Sequence, residues 1–475
     1  FFLISFKVIV TGTINSFTFS EKSGFQLDEL STEFNYNSKG ASLKNLSLNT
    51  PQTTLQDNIL MTYPSIESLT NNLENLTLDA DLKDSKLGFK DVLLLVPELN
   101  SNDIFRNNPN AIVNFNATIK GKLDNLKIDR FNASGIGKTK VDINGTITGL
   151  PNIDTSFFDL TILNFESTSK DIHSFTPKNT IPNNIQLPEK FNVKGNFKGS
   201  INVFETNLDL KSSLGNAIVE ATFDQSRKNN EKYNAETSVE NFDLGKFIKN
   251  NQFGKVTANA TINGRSLDPS TATAKLTSKI VKARFNEYNY NNININGTID
   301  NGLFVANASS TDPNLNFVLD AKGSSNSDKP TVDLKMNIEL VDLNKLNLHA
   351  GPLKMRGNIT ANFDDLNPDN LNGTLNVNNF LVALEKEQFP LDSISIRAIS
   401  NLEKDSIILK SQFVNGLISG NYKLSTIADQ LTNSISKYYQ LDKKYVSNKE
   451  NQNLDFEFII KDNQITKKII PGLTE

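Results

Sequence analysis

Apolar and polar residues alternate along most of this chain. Between Val256 and Ile262 the apolar positions are Val256, Ala258, Ala260 and Ile262, separated by Thr257, Asn259 and Thr261. Between Val332 and Leu340, the residues Val332, Leu334, Met336, Ile338 and Leu340 alternate with Asp333, Lys335, Asn337 and Glu339. Ile293, Ile295 and Ile299, and then Leu375 and Val377, keep the same spacing. Successive side chains of a strand point to opposite faces, so each segment predicts a strand with one apolar and one polar face. Asn-Gly, Lys-Gly and Asp-containing turns separate the segments, as hairpins require. The pattern predicts an all-β-dominated fold whose strands share one continuous apolar face. What covers that face is the functional question.

The strand-rich units recur loosely, at about 1–110, 111–190, 191–253, 254–352, 353–424 and 425–475, with no strict period. Helices are expected to be few and short. Asp91–Leu99 starts with a capping Asp and is broken by Pro97. Asp243–Asn250 and Asp342–His349 each place apolar residues at helical spacing after an Asp. Ser425–Leu441 carries the clearest apolar stripe, through Ile427, Leu431, Ile435 and Tyr438. All four read as capping elements packed on an apolar face. The stretch Ser167–Leu187, rich in Pro, Asn and Thr, reads as a loop.

Composition narrows the function. The chain has 475 residues, 37% of them apolar, and a net charge of −4 from 49 basic and 53 acidic residues. That balance offers no clustered positive charge for nucleic acid. With no cysteine there are no disulfides, thiolate chemistry or Cys-type zinc sites. Two isolated histidines, His173 and His349, argue against a Ser-His-Asp triad or a His-rich metal centre. No tuned pair of carboxylates stands near a His or Lys, and the chain reads as a non-enzyme without a cofactor or a metal. The first residue is Phe1, and Phe1–Val10 reads as a strand cut from a longer protein, with any membrane anchor outside this sequence.

Three motifs dissolve on inspection. Ser134–Thr139 (SGIGKT) has the tail of a phosphate-binding loop, but Asn132 stands where its first Gly belongs, and a strand pattern follows where a helix is needed. Asp364–Asn370 lacks the central Gly and terminal Glu of a calcium loop. Asn-x-Ser/Thr triplets at Asn45, Asn116, Asn144, Asn259, Asn296, Asn358 and Asn372 are what the polar face of alternating strands produces, and predict no glycans.

The stretch from Phe242 to Gly323 contains FDLGKFIKN, FGKVT, TINGRSLDPSTATAKL, FNEYNYNNININGTI and DPNLNF. As a set these phrases resemble the TamB family of translocation and assembly module proteins in its Bacteroidetes-type form. That family is part of the AsmA-like superfamily of bridge-like envelope proteins. A looser resemblance covers most of the chain, including GNYKLSTIADQL and FEFIIKDNQITKKIIPGLTE. The resemblance implies an elongated, curled β-sheet, a β-taco around an open apolar groove. It implies a periplasmic bridge of a Gram-negative bacterium that conducts phospholipids between inner and outer membrane and serves outer-membrane protein assembly. Its partners are phospholipid acyl chains, an outer-membrane β-barrel of the TamA/BamA type and an inner-membrane anchor, both docked through regions absent here. The expected groove lining is Val256, Ala258, Ala260, Ile262, Ile293, Ile295, Ile299, Val332, Leu334, Met336, Ile338, Leu340, Leu375 and Val377. Periodicity alone also fits a structural or adhesive β-repeat protein that fills its own core.

Overall fold

The computed structural model describes residues 9–22, 24–176, 181–326, 328–384, 387–401, 404–436, 452–463 and 466. Among them are twenty-five strands and a few short helices. The protein is mostly β, as its alternation predicts. Two compact units divide it. The N-terminal unit holds the described residues through Val256 except 229–231, and the C-terminal unit holds 229–231 and those from Thr257 on. The boundary falls inside the strand Phe253–Arg265, which contains the Val256–Ile262 alternation.

Each unit is an antiparallel meander. In the N-terminal unit thirteen strands, from Ile9–Ser20 to Lys232–Asp243, follow one another in sequence and in space. In the C-terminal unit eleven strands do the same, from Thr273–Phe285 to Asn453–Ile460. Among the described residues neither meander closes on itself. Local hairpins of this kind need no long crossover, so the sequence order alone sets the topology.

Bulges correct the two-residue period where it fails. In the strand Thr77–Gly88, Ala80 and Leu82 oppose Ile119 and Ala117, and Ser85 and Leu87 then oppose Phe115 and Val113. The two pairs have opposite parity yet share a face, because Asp84 adopts φ +44° between them. Asn379, at φ +52°, has the same effect in the strand Asn372–Leu384, where Val377 opposes Ile359 and Val382 opposes Met355. Asn and Asp tolerate the left-handed region better than other side chains, which is why these kinks carry them.

The helical segments of the N-terminal unit collect on one edge. Phe89–Leu95, Pro97–Ser101 and Asp103–Asn107 follow the fifth strand, Ser169–Phe175 the ninth and Leu244–Phe247 the thirteenth. In a meander these odd strands run in the same direction, so their ends share an edge. The opposite edge has turns and the one-turn segments Ser68–Asn71, Leu73–Asn75 and Ile153–Thr155.

Several local expectations change. The first helix starts at Phe89, not Asp91. Asp91 is buried in its first turn and accepts hydrogen bonds from the Thr50 and Thr53 hydroxyls at 2.5 and 2.7 Å, so it staples a neighbouring hairpin instead of capping its own helix. Asp243 does cap, accepting from the Lys246 N–H at 3.1 Å. Asp342–His349 is a series of turns and not a helix, although Asp342 still accepts from the Lys345 N–H at 3.1 Å. The expected loop Ser167–Leu187 contains the helix Ser169–Phe175, with Thr168 as its cap. The late helix spans Ile427–Ser436, and Tyr438 lies outside the described residues, as do Phe1–Lys7.

Candidate functional site

Paired residues of an antiparallel sheet present their side chains to the same face. Following the register therefore maps each face directly. In the C-terminal unit one row runs Ser278, Ile295, Ala308, Leu319, Met336, Ile359, Val377, Ile394 across eight strands. The adjacent row passes through Gly297, Ala306, Ala321, Leu334, Ala361, Leu375 and Ile396. A third carries Ile299, Phe304, Gly323, Val332 and Phe363. Ile293 and Ile338 belong to a fourth, joined through Ser310 and Phe317. Nine of the expected positions are thus brought together on one face: Ile293, Ile295, Ile299, Val332, Leu334, Met336, Ile338, Leu375 and Val377.

Leu340 is not among them. Phe317 opposes Ile338 while Asn316 opposes Leu340, so Glu339 is an extra residue. The bulge turns Leu340 to the polar face and brings Val341 onto the apolar one, where it is buried against Ile338 and Leu346. Val256, Ala258 and Ala260 are half-buried on their strand, whereas Ile262 is exposed.

The N-terminal unit has an equivalent face that the sequence reading did not single out. Gly12, Phe34, Leu43, Ile59, Ala80, Ile119 and Ile128 lie in one row, which continues through Gly145, Leu160 and Phe197. Its alternation is masked in sequence by the kinks at Asn45 (φ +49°) and Asp84. The signal available was the Asn or Asp at each parity change.

The reverse face is mainly polar, with exposed apolar exceptions such as Ile218, Val305 and Val318. Asn294, Asn296, Lys335, Asn337 and Asn358 are all exposed there. In the N-terminal unit a depression of about 540 Å³ on this side is lined by Asn114, Asn116, Asn132 and Asn164. Their amides bond to one another and to neighbouring strands, as in Asn192 to Asn164 at 2.6 Å and Asn116 to Asn132 at 3.1 Å. Of the seven triplet residues named above, this polar zipper engages Asn116.

Among the described residues no second layer of strands or helices is packed over the middle of the apolar face. Among the described residues the strands make their extensive contacts with their own sheet neighbours. The face is filled only locally. In the C-terminal unit Leu346, 1% exposed, sits on Ile338 and Val341, with Tyr288, Tyr290, Leu315 and Phe317 around it. Tyr288 and Tyr290 meet edge to face at 4.8 Å. Beneath them the buried Asp312 accepts from the Tyr288 hydroxyl at 2.6 Å, the Asn291 N–H and amide at 2.8 and 2.9 Å, and the Asn314 N–H at 2.8 Å. Burial alone raises the Asp312 carboxyl, but these bonds outweigh it and hold it below the ordinary carboxylate range. Burial, and then the bond to Asp312, raise the Tyr288 phenol.

The polar motifs are tied into internal hydrogen bonds. The turn of the SGIGKT motif leads into the strand Lys140–Thr148. Its Lys138 N–H donates to Asp171 at 2.9 Å, so an internal carboxylate occupies the place of a phosphate. His173 Nδ1 lies 2.6 Å from the Ser169 carbonyl, and His349 pairs with Gly351. In the Asp364–Asn370 stretch, Asp369 accepts from the Ser425 N–H and hydroxyl at 3.0 and 2.8 Å. Among the described residues no three His, Cys, Asp or Glu are placed to hold a metal ion, and no helix is long and apolar enough to cross a membrane. Compared with family models, curated proteins and solved structures, the chain finds no match in any of the three.

Proposed function

We propose that the apolar faces hold the acyl chains of phospholipids and let them move from strand to strand, as a non-enzymatic conduit. The observation that carries this reading is an unbroken apolar row with no described element packed over its middle. In the N-terminal unit the row crosses ten strands up to Phe197. At ~4.8 Å per strand it extends roughly 43 Å. Half a bilayer core is only about 15 Å deep, so this is a path several acyl chains could share and not a pocket for one. Each CH₂ taken out of water contributes about 0.8 kcal/mol wherever it lies on the row. A uniform wall therefore retains a chain without trapping it at one place, and the Gly and Ala positions of the row leave it width.

On this reading the protein works in the periplasm of a Gram-negative bacterium and bridges inner and outer membrane. An inner-membrane anchor and an outer-membrane barrel of the TamA/BamA type are its partners, and outer-membrane protein assembly is a second role. The competing reading is a structural or adhesive β-repeat protein with a self-filled core. The Leu346 cluster, and the cluster of Phe389 and Leu391 with Phe380 and Val382, are what favour it.

Site-specific photo-crosslinking separates the two. A photoreactive residue at Ile295 or Met336 should capture phospholipid tails, and one at Asn294 or Lys335 on the reverse face should not. Equal capture on both faces, or none on either, would count against the conduit.

A further inference from the structure

Independently of what occupies the apolar face, we infer that the reverse face of the N-terminal unit carries an anion site. A depression of about 450 Å³ lined by Lys138, Lys190 and Lys211 takes a phosphate-type oxyanion of two or more charges.

Register sets these lysines on one side of the sheet. Lys140 opposes Glu166, Glu166 opposes Asn192 and Asn192 opposes Lys211, so four strands form one row on the face away from Val141, Phe165 and Val193. One step towards the helix-bearing edge, Thr168 opposes Lys190, and the Ser213 N–H donates to the Lys190 carbonyl at 2.9 Å. Lys138 stands two residues before Lys140, beside Thr168. From Lys138 to Lys211 is three strand spacings, about 14 Å. Long lysine side chains close that span around a phosphate ester or a diphosphate more readily than around a monatomic ion.

The lining is rich in donors and poor in acceptors. Among the described residues no hydrogen bond or ion pair engages the ammonium groups of Lys138, Lys190 and Lys211. The Thr168 and Ser213 hydroxyls each accept a backbone bond, from the Asp171 N–H at 3.1 Å and the Lys190 N–H at 3.4 Å, and their own protons go to no described group. The one carboxylate in the lining, Glu166, already faces Lys140 at 3.5 Å. Asp171, buried close by, accepts from the Lys138 N–H at 2.9 Å. Free ammonium and hydroxyl donors around a single engaged carboxylate fit a ligand that only accepts and that carries negative charge.

Two other depressions on the same face lack this bias. The one lined by Asn114 and Asn164 sets Lys86 and Lys140 against Asp84 and Asp142. The one beside Asn35 and Asn58 sets Lys39 and Lys44 against Asp79 and Asp81. Three lysines against one carboxylate are therefore a local surplus, in a chain whose net charge is −4. All three lysines are exposed, so charge supplies most of the attraction and added salt weakens it.

Isothermal titration calorimetry of the intact chain with inorganic pyrophosphate at low salt tests the site. Lys138→Gln, Lys190→Gln and Lys211→Gln, combined, should weaken binding at least about tenfold. Lys275→Gln, Lys279→Gln and Lys335→Gln, combined, remove the same charge from exposed positions on the reverse face of the C-terminal unit. That set should change the affinity less than about twofold. Glu166→Gln should tighten binding about two- to fivefold, a gain that misfolding cannot produce. Phosphatidylcholine vesicles doped with phosphatidic acid form a second arm. Binding that is lost with Lys138, Lys190 and Lys211 in either arm sustains the site, and the arm that shows it tells whether the phosphate is soluble or membrane-borne. No binding in both arms, equal losses from the two lysine sets, or a weakened Glu166→Gln protein overturns it.

Discussion

The N-terminal and C-terminal units solve one problem in two ways. Both are antiparallel meanders with an apolar row across successive strands. In the N-terminal unit the row is repeatedly kinked, at Asn45 and Asp84 among others, and one edge carries a line of short helices. In the C-terminal unit the alternation is cleaner, and the comparable edge is held by the turns around Leu346 and the carboxylate of Asp312. The difference separates what the shared face requires from what is free to vary. Register must keep apolar residues on one side, whereas the means of finishing an edge is interchangeable. A buried carboxylate that reaches to an earlier hairpin recurs in both, as Asp91 to Thr50 and Thr53, Asp171 to Lys138 and Asp312 to Asn291.

If register is the invariant, its loss should be the most damaging change. Deleting Asn379 removes the residue that restores parity, and turns either Leu375 and Val377 or Phe380, Val382 and Leu384 to the polar face. At about 1.5–3 kcal/mol for each apolar side chain fully displaced, two or three such side chains should cost about 3–9 kcal/mol. Circular dichroism and limited proteolysis of the strands after 372 will read it, and an unchanged melting temperature would refute the parity role of Asn379. Leu346→Ala comes next. It empties a fully packed site, and chemical denaturation should report about 3 kcal/mol. A loss below about 1 kcal/mol would mean that the cluster around Leu346 collapses freely and is not tightly packed.

Asp312→Asn should cost about 1.5–3 kcal/mol at neutral pH, because hydrogen bonds to a charged acceptor are replaced by weaker ones. Its pH signature follows from the lowered carboxyl pKa. A group depressed in the folded state adds stability above its unfolded value, near 3.9 for Asp, and that stability is lost as pH falls through the folded value. The wild type should therefore lose stability more steeply than Asp312→Asn below about pH 4. Parallel acid limbs would contradict the role of the charge. In the N-terminal unit Gly137→Ala should cost about 1–2 kcal/mol. Gly137 adopts φ +56°, and its Cβ would collide with Asp171. A neutral effect would show that the staple yields.

Much of the fold was legible from residues alone. Period-two alternation is a local property of a strand, so Thr331–Asp342 and Tyr288–Asp300 were visible without tertiary information. Parity was not, because a bulge depends on the partner strand. Leu340 was therefore assigned to the wrong face, and Val341 was overlooked. Tyr288 and Tyr290 were missed for the same reason, since Asn292, at φ +52°, separates them from Ile293 and Ile295. The Asp91 helix was misread because an Asp before an apolar run looks the same whether it caps its own turn or bonds Thr50 and Thr53, 38 or more residues away in sequence. Unlike these local features, an uncovered face has no signature in sequence, because alternation is identical beneath a second layer and beneath a guest.

On the proposed function the apolar face is left open for lipid and not filled by the protein. The most direct test of this is the phospholipid that co-purifies with the intact chain, quantified by mass spectrometry for the wild type and for Met336→Asp, with folding checked by circular dichroism. Bound phospholipid is expected in the wild type, with a several-fold loss in the folded Met336→Asp protein. A wild type free of phospholipid, or a folded Met336→Asp protein that carries as much as the wild type, would contradict it.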